Sequence, residues 1–174
     1  VKELVENAID AGATRIEVEI EAGGKELIRV TDDGSGIAED ELRLAIAPHA
    51  TSKIAALDDL ACVRSMGFRG EALASIASVS RLRIVSRPRH AQAAAMLEAE
   101  GDQVDAVRPA AGPHGTTISV RNLFFNTPAR RRFLRGDQAE SGRVAELVTS
   151  LAFAHPEIGF RLVQDGRTAL DLPS

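Results

Sequence analysis

Near the start of the chain, Glu3, Asn7 and Asp10 recur at helical spacing, with Glu6 beside them. At about 100° per residue they fall within one narrow arc, and Leu4, Val5, Ala8, Ile9 and Ala11 fill the opposite one. A helix buried on that apolar face would hold out a carboxylate, an amide and a second carboxylate in a row. Such a row suits a hard cation and a positioned water. An ordinary amphipathic surface helix carries the same pattern, so these residues alone leave both readings open.

Three further stretches have residue types that could do chemistry. In Asp32-Asp33-Gly34-Ser35-Gly36-Ile37 an aspartate ends a strand and two glycines follow. Glycine lets the backbone approach a flat ligand, and a carboxylate at a strand end can accept from an exocyclic amine. A simple Asp-Gly turn is the alternative. In Met66-Gly67-Phe68-Arg69-Gly70-Glu71-Ala72-Leu73 two glycines precede a helix whose free N–H groups could cradle phosphates. The Gly-Lys-Ser/Thr ending of a P-loop is absent, and an ordinary helix-entry loop reads the same way. In Gly115-Thr116-Thr117 a glycine opens a strand and hydroxyls follow, a pattern with little specificity of its own.

The elements that must position these groups are legible from periodicity. Gly12 is placed to cap the first helix. Residues 15–21 alternate strictly and 26–31 follow Gly23-Gly24, which predicts a hairpin. Short helices are expected at 39–46, 57–65 and 71–78, and a strand at 81–86. Residues 91–108 read as two strands about a turn near Gly101-Asp102, although 91–100 fits a helix as well. A strand is expected from Gly115 to Val120, a helix opening at Pro128, a longer helix at 138–154, and a last hairpin, 158–164 with 167–171. This order predicts an α+β, two-layer sandwich: a mostly antiparallel mixed sheet with helices on one face.

The 174 residues fit one domain, 1–174, whose final segment, 155–174, would lead onward to a second subdomain. The chain opens on Val1 without an initiator Met and reads as a piece of a longer protein. At 44% apolar with 3% aromatics, all Phe, it calls for an aliphatic core. The single cysteine, Cys62, rules out an internal disulfide or a cysteine cage for zinc. His49, His90, His114 and His155 lack metal-ligand spacing. No apolar run is long enough to span a bilayer. Net charge is −4, but residues 1–41 hold 12 acidic and 4 basic side chains. Residues 121–135 hold five arginines and no acid, so one region could hold a cation and another could meet phosphate. For Arg130, Arg131, Arg132 and Arg135, DNA-phosphate contact and a solvated helix face are equally open, as is a bracing role near the glycine-bearing loop.

Taken together, these motifs resemble the GHKL ATPase superfamily, which includes gyrase-type topoisomerases, ninety-kilodalton heat-shock chaperones, sensor histidine kinases and MutL-type mismatch-repair proteins. The superfamily order is Glu-x-x-x-Asn-x-x-Asp-Ala, Asp-x-Gly-x-Gly, a glycine-bearing lid, then Gly-Thr, and all four occur here. His49-Ala50-Thr51-Ser52-Lys53-Ile54, Gly67 to Ile76, and Phe124-Phe125-Asn126-Thr127-Pro128-Ala129-Arg130-Arg131 are similar to the MutL-type spelling in particular.

The resemblance implies Glu3 as the base that activates water and Asn7 as a Mg²⁺ ligand. Asp10 and Ala11 complete that motif as supporting positions. It implies Asp32 as the reader of adenine, with Gly34, Gly36 and Ile37 around the base. Thr51 and Lys53 fall in a matched motif. Gly67, Phe68, Arg69, Gly70, Glu71, Ala72 and Leu73 would form the phosphate-holding lid, and Thr116 or Thr117 would lie under the adenine. The implied cofactors are ATP and Mg²⁺, and the implied activity is Mg²⁺-dependent ATP hydrolysis, with this segment alone binding nucleotide but hydrolysing it poorly. Nucleotide-dependent self-association, a mismatch-recognition protein and other repair factors, DNA, no membrane, and a bacterial cytoplasmic setting near the nucleoid follow from the same resemblance. Asp33 stands where Asn is common in the family, and Pro48 where Arg is common. A DNA-binding or scaffold module with a vestigial nucleotide pocket is the competing function.

Overall fold

The computed structural model describes residues 1–47 and 72–174. The expected helix at 57–65, the His49–Ile54 motif and the lid residues Gly67–Glu71 lie outside them. Along the chain run α1 (Lys2–Asp10), β1 (Arg15–Glu21), a 3₁₀ turn (Ala22–Gly24), β2 (Leu27–Asp32), α2 (Leu42–Ala45), α3 (Ala72–Ala77), β3 (Arg81–Arg87), β4 (Ala94–Glu100), β5 (Gln103–Val104), β6 (Arg108–Ala110), β7 (Gly115–Arg121), α4 (Pro128–Arg132), α5 (Asp137–Ala154), β8 (Gly159–Gln164) and β9 (Arg167–Leu172). The strands form one sheet in the order β5-β4-β3-β7-β2-β1-β8-β9, with β6 also on β4. Among the described residues only the β1–β8 pair is parallel; the other pairs are antiparallel, as the expected mixed sheet requires.

Strand period puts alternate residues on one face. Register then aligns them in rows across the sheet. One row runs Leu97, Ile84, Ile118, Val30, Val18, Leu162, and all six are buried. The next holds Ala99, Leu82, Val120, Ile28 and Ile20. Leu4, Val5 and Ala8 of α1, Leu42 of α2, Leu73 and Ala77 of α3, and Val148, Leu151 and Ala152 of α5 join the same apolar cluster. The opposite face carries charge, with Arg29 paired to Glu19 at 2.5 Å and Arg83 to Glu98 at 3.7 Å. These four helices therefore lie on one face, as the alternation predicts.

α1 lacks a side-chain N-cap. A cap is worth about 1 kcal/mol. Burying Leu4 and Val5 offsets that loss at about 1.5–3 kcal/mol each, so packing, and not local propensity, fixes this helix. Its C-terminus is a Schellman turn about Gly12 (φ +70°): Gly12 N–H donates to the Ile9 carbonyl and Ala13 N–H to that of Ala8.

Three details depart from the sequence reading, and one ambiguity in it, helix or strand at 91–100, is settled as strand. α2 is a single turn at Leu42–Ala45, because the preceding acidic residues close onto Ala38 in a turn, Glu41 N–H to Ala38 at 3.0 Å. Residues 94–100 are strand, since alternate Ala95, Leu97 and Ala99 bury against β3 in period-2 register. β6 is an additional short strand, held on β4 through Met96 and Ala94. Glu6, placed by the helical wheel beside the exposed polar arc, is 7% exposed and pairs with Lys2 at 3.5 Å.

Candidate functional site

The third register row of the core face reads Ala95, Ser86, Thr116, Asp32, Ile16, Phe160. Three adjacent polar residues thus occupy positions that are apolar in the other rows. Each is buried: Ser86, Thr116 and Asp32 are 1%, 6% and 8% exposed. Buried polar groups are costly unless hydrogen-bonded, and these are. Asp32 Oδ1 accepts from the Gly34 N–H at 2.8 Å. Ser86 Oγ accepts from Ile37 N–H at 2.8 Å, donates to the Gly115 carbonyl at 3.1 Å and lies 2.9 Å from Thr116 Oγ1. Burial pushes the Asp32 carboxyl up to about 6, and Asp33 pushes the same way, against the pull of the Gly34 and Thr116 N–H groups. At neutral pH Asp32 is therefore an ionised carboxylate with weakened solvation, ready to accept a hydrogen bond from a ligand.

The loop after β2 is clamped to the end of α1. Asp33 accepts from Thr14 N–H at 2.7 Å, Thr14 Oγ1 at 2.5 Å and Arg15 N–H at 2.8 Å. Partial burial would raise its carboxyl, but those hydrogen bonds outweigh it and hold the pKa below the ordinary carboxylate range. The departure from Asn at this position thus has a local role: the carboxylate ties the head of β1 to the end of β2. Ser35 N–H donates to the Ala11 carbonyl at 2.9 Å, and a Cβ on Gly34 would stand 2.8 Å from that same oxygen. Only glycine lets the loop seat on α1 this closely. Gly115 is more constrained still, with φ +103° and a virtual Cβ 2.0 Å from the Asp32 carbonyl oxygen. The Gly-Thr pair is therefore fixed by its fit against the aspartate.

These contacts assemble several sequence-predicted residues. Asp32, Gly34, Gly36, Ile37 and Thr116 surround one end of β2, and Ala11 closes it from α1. α1, whose C-terminal end meets this loop, carries Asn7, half-buried, one turn before Ala11 and Glu3, exposed, a turn further back. Thr117 separates from the group: it pairs with Thr31 across the opposite face of the sheet, their hydroxyls 3.3 Å apart. Of the two threonines, only Thr116 shares a face with Asp32. Ala72 and Leu73 open α3, with Leu73 buried in the core. Thr51, Lys53, Gly67, Phe68, Arg69, Gly70 and Glu71 lie outside the described residues. Among the described residues no cluster of three or more His, Cys, Asp or Glu side chains could hold a metal. A cation near Asn7 would take one amide oxygen and complete its shell with phosphate and water, which suits Mg²⁺.

Ser86 is the site residue that motif reading missed. A lone serine matches no motif, but it breaks the apolar phase of β3, Leu82, Ile84, Ser86, and that interruption was the available signal.

The arginine-rich segment lies elsewhere. Asn122 and Phe124 have φ of +52° and +62°, and the turn they make is pinned to the α3–β3 connection. Phe124 N–H donates to the Val79 carbonyl at 2.7 Å and Asn126 Nδ2 to that of Ser78 at 2.8 Å. Asn126 thus braces this turn against the end of α3, and the glycine-bearing loop that the arginines were expected to brace lies outside the described residues. Arg131 pairs with Glu26 at 2.9 Å. Arg130, Arg132 and Arg135 are exposed, and Phe133 is 87% exposed among them.

Comparison with known proteins agrees with this geometry. Residues 1–112 match the family described as histidine kinase-, DNA gyrase B-, and HSP90-like ATPase. The chain is 55% identical over 167 residues to the DNA mismatch repair protein MutL of Xanthomonas oryzae pv. oryzae, spanning 96% of this chain and 27% of that protein. It is 56% identical over 168 residues to the MutL of Pasteurella multocida, with the same coverage. The chain thus spans 27% of the length of these curated relatives. It is similar to the Aquifex aeolicus MutL ATPase domain complexed with ADP, with a TM-score of 0.78 at 38% identity, covering 99% of this chain and 61% of that one. It is also similar to the N-terminal domain of a DNA repair protein, with a TM-score of 0.79 at 26% identity, covering 98% and 50%. Among the described residues no helix is long and apolar enough to cross a membrane. The chain therefore belongs to the histidine kinase-, DNA gyrase B- and HSP90-like ATPase family, has the GHKL ATPase fold, and is similar over nearly its whole length to part of the MutL mismatch-repair proteins.

Proposed function

We propose that this domain, residues 1–174, binds ATP with its adenine at the Asp32–Thr116 end of the sheet and, in the whole protein, hydrolyses it with Mg²⁺. The observation that carries the reading is the buried polar row: Ser86, Thr116 and Asp32 interrupt an otherwise apolar core face beside a glycine loop seated on α1. A fold keeps such a row when a ligand uses it. ADP in the similar Aquifex aeolicus domain supports the same site class.

In this reading Asp32 accepts from the exocyclic amine, and Gly34 and Gly36 let the backbone come close to the base. Asn7 offers its amide oxygen to Mg²⁺, which, when bound, neutralises phosphate charge. Glu3, four residues earlier and exposed on the same helix, holds and deprotonates the attacking water. Ala72 and Leu73 anchor the far end of the phosphate-holding lid on the core through α3. Hydrolysis by the segment alone is expected to be poor. Ordering of the lid by nucleotide, self-association and signalling to a mismatch-recognition protein belong to the whole protein, of which this chain covers 27% in its relatives. The exposed Arg130, Arg132 and Arg135 support a DNA-phosphate contact on the α4 side. A vestigial pocket is the weaker reading, because an unused buried carboxylate has a standing cost.

The test is Glu3→Ala in the whole protein. Nucleotide binding should survive and turnover should fall by about 10²–10⁴, the usual worth of a positioned base. Unchanged turnover would remove Glu3 from the role.

A further inference from the structure

Ser86 has a hydrogen-bond inventory that fixes the direction of its neighbour's proton. A serine hydroxyl has one proton and two lone pairs. The Ile37 N–H, at 2.8 Å, takes one lone pair. The Gly115 carbonyl, at 3.1 Å, can only accept, so it takes the proton. The 2.9 Å contact with Thr116 Oγ1 is then completed by the threonine proton on the remaining lone pair. Ser86 is 1% exposed, so water does not compete for these bonds. Thr116 is left with lone pairs alone to offer. Asp32, beside it in the register row, also offers only lone pairs when ionised.

We infer that Ser86 is a positioning residue that holds the Thr116 hydroxyl as an acceptor, so that the pocket beside Asp32 selects a purine edge that donates. Adenine presents an exocyclic amine there and is accepted; hypoxanthine presents a carbonyl and is refused. Without Ser86 the threonine hydroxyl is free to rotate and donate, and the refusal weakens. The inference rests on the nucleotide-binding reading, and Ser86 acts through Thr116 without touching the base.

Calorimetric titration of the whole protein with ADP and with IDP, both in Mg²⁺ buffer, tests it. The native protein should prefer ADP. Ser86→Ala should reduce that preference by about fivefold, the worth of one hydrogen bond. Thr116→Val should reduce it similarly, and the double variant should show no further drop. Equal weakening of both nucleotides by Ser86→Ala, with the preference intact, would assign Ser86 a purely structural role and overturn the inference. If melting shows that Ser86→Ala does not fold, Thr116→Val carries the test, and an unchanged preference there overturns it equally. Failure of the native protein to bind either nucleotide would instead sink the nucleotide reading itself.

Discussion

Replacing Asp32 with asparagine should stabilise the empty domain while destroying its ligand site. Asp32 is 8% exposed, and burial lifts the pKa of its carboxyl from 3.8 to about 6. Because the folded-state value lies above the unfolded one, the native state binds more protons across that interval. The stability this group allows is full below about pH 4 and is lost as pH rises through about 6. At about 1.4 kcal/mol per tenfold, the loss at neutral pH is about 3 kcal/mol. Asparagine carries no charge and escapes it. Its amide retains one acceptor oxygen for the Gly34 and Thr116 N–H groups, where the carboxylate has two. One hydrogen bond, worth about 1 kcal/mol, is therefore weakened. The balance is a variant about 1–2 kcal/mol more stable than the native domain at pH 7.5, with the advantage shrinking toward pH 5. Urea unfolding of both proteins across that range measures it. A variant that is destabilised at pH 7.5, or one whose difference does not change with pH, would refute the claim that Asp32 is held ionised against its surroundings.

Other outcomes follow from the same geometry. Nucleotide affinity should weaken as pH falls below about 6, where Asp32 takes a proton, and titrations at pH 5 and 7.5 would reveal the drop. Gly115→Ala should cost at least about 1–3 kcal/mol in denaturant unfolding, since the added methyl would overlap the Asp32 carbonyl at a backbone angle that disfavours side chains. Arg132→Ala should flatten the salt dependence of DNA binding by about one phosphate contact, with nucleotide affinity unchanged.

Much of this architecture was legible from residue order because it is local. Alternation located β1, β2, β3, β7 and the final hairpin, and Gly12 marked the end of α1, since side-chain period and backbone φ are properties of short windows. The parallel pairing of β8 with β1 was not legible: it joins residues that are distant in sequence, and pairing partners leave no local trace. The helix-or-strand ambiguity at 91–100 had the same origin. Its alanines suit either state until β3 lies alongside. At the site, Asp32 and Gly115-Thr116 were readable as motifs. Choosing Thr116 over Thr117 needed the register, which assigns adjacent threonines to opposite faces. The burial of Glu6 was hidden too, because a helical wheel records direction without recording what packs there.

The central claim is that an adenine nucleotide binds against the buried carboxylate at the end of β2. Calorimetric titration of the native protein and of Asp32→Asn with ADP in Mg²⁺ buffer at pH 7.5 tests it most directly. The account predicts clear saturable binding by the native protein and its loss in the variant, although the variant is folded and no less stable. Equal binding by both proteins, or binding by neither, would contradict it.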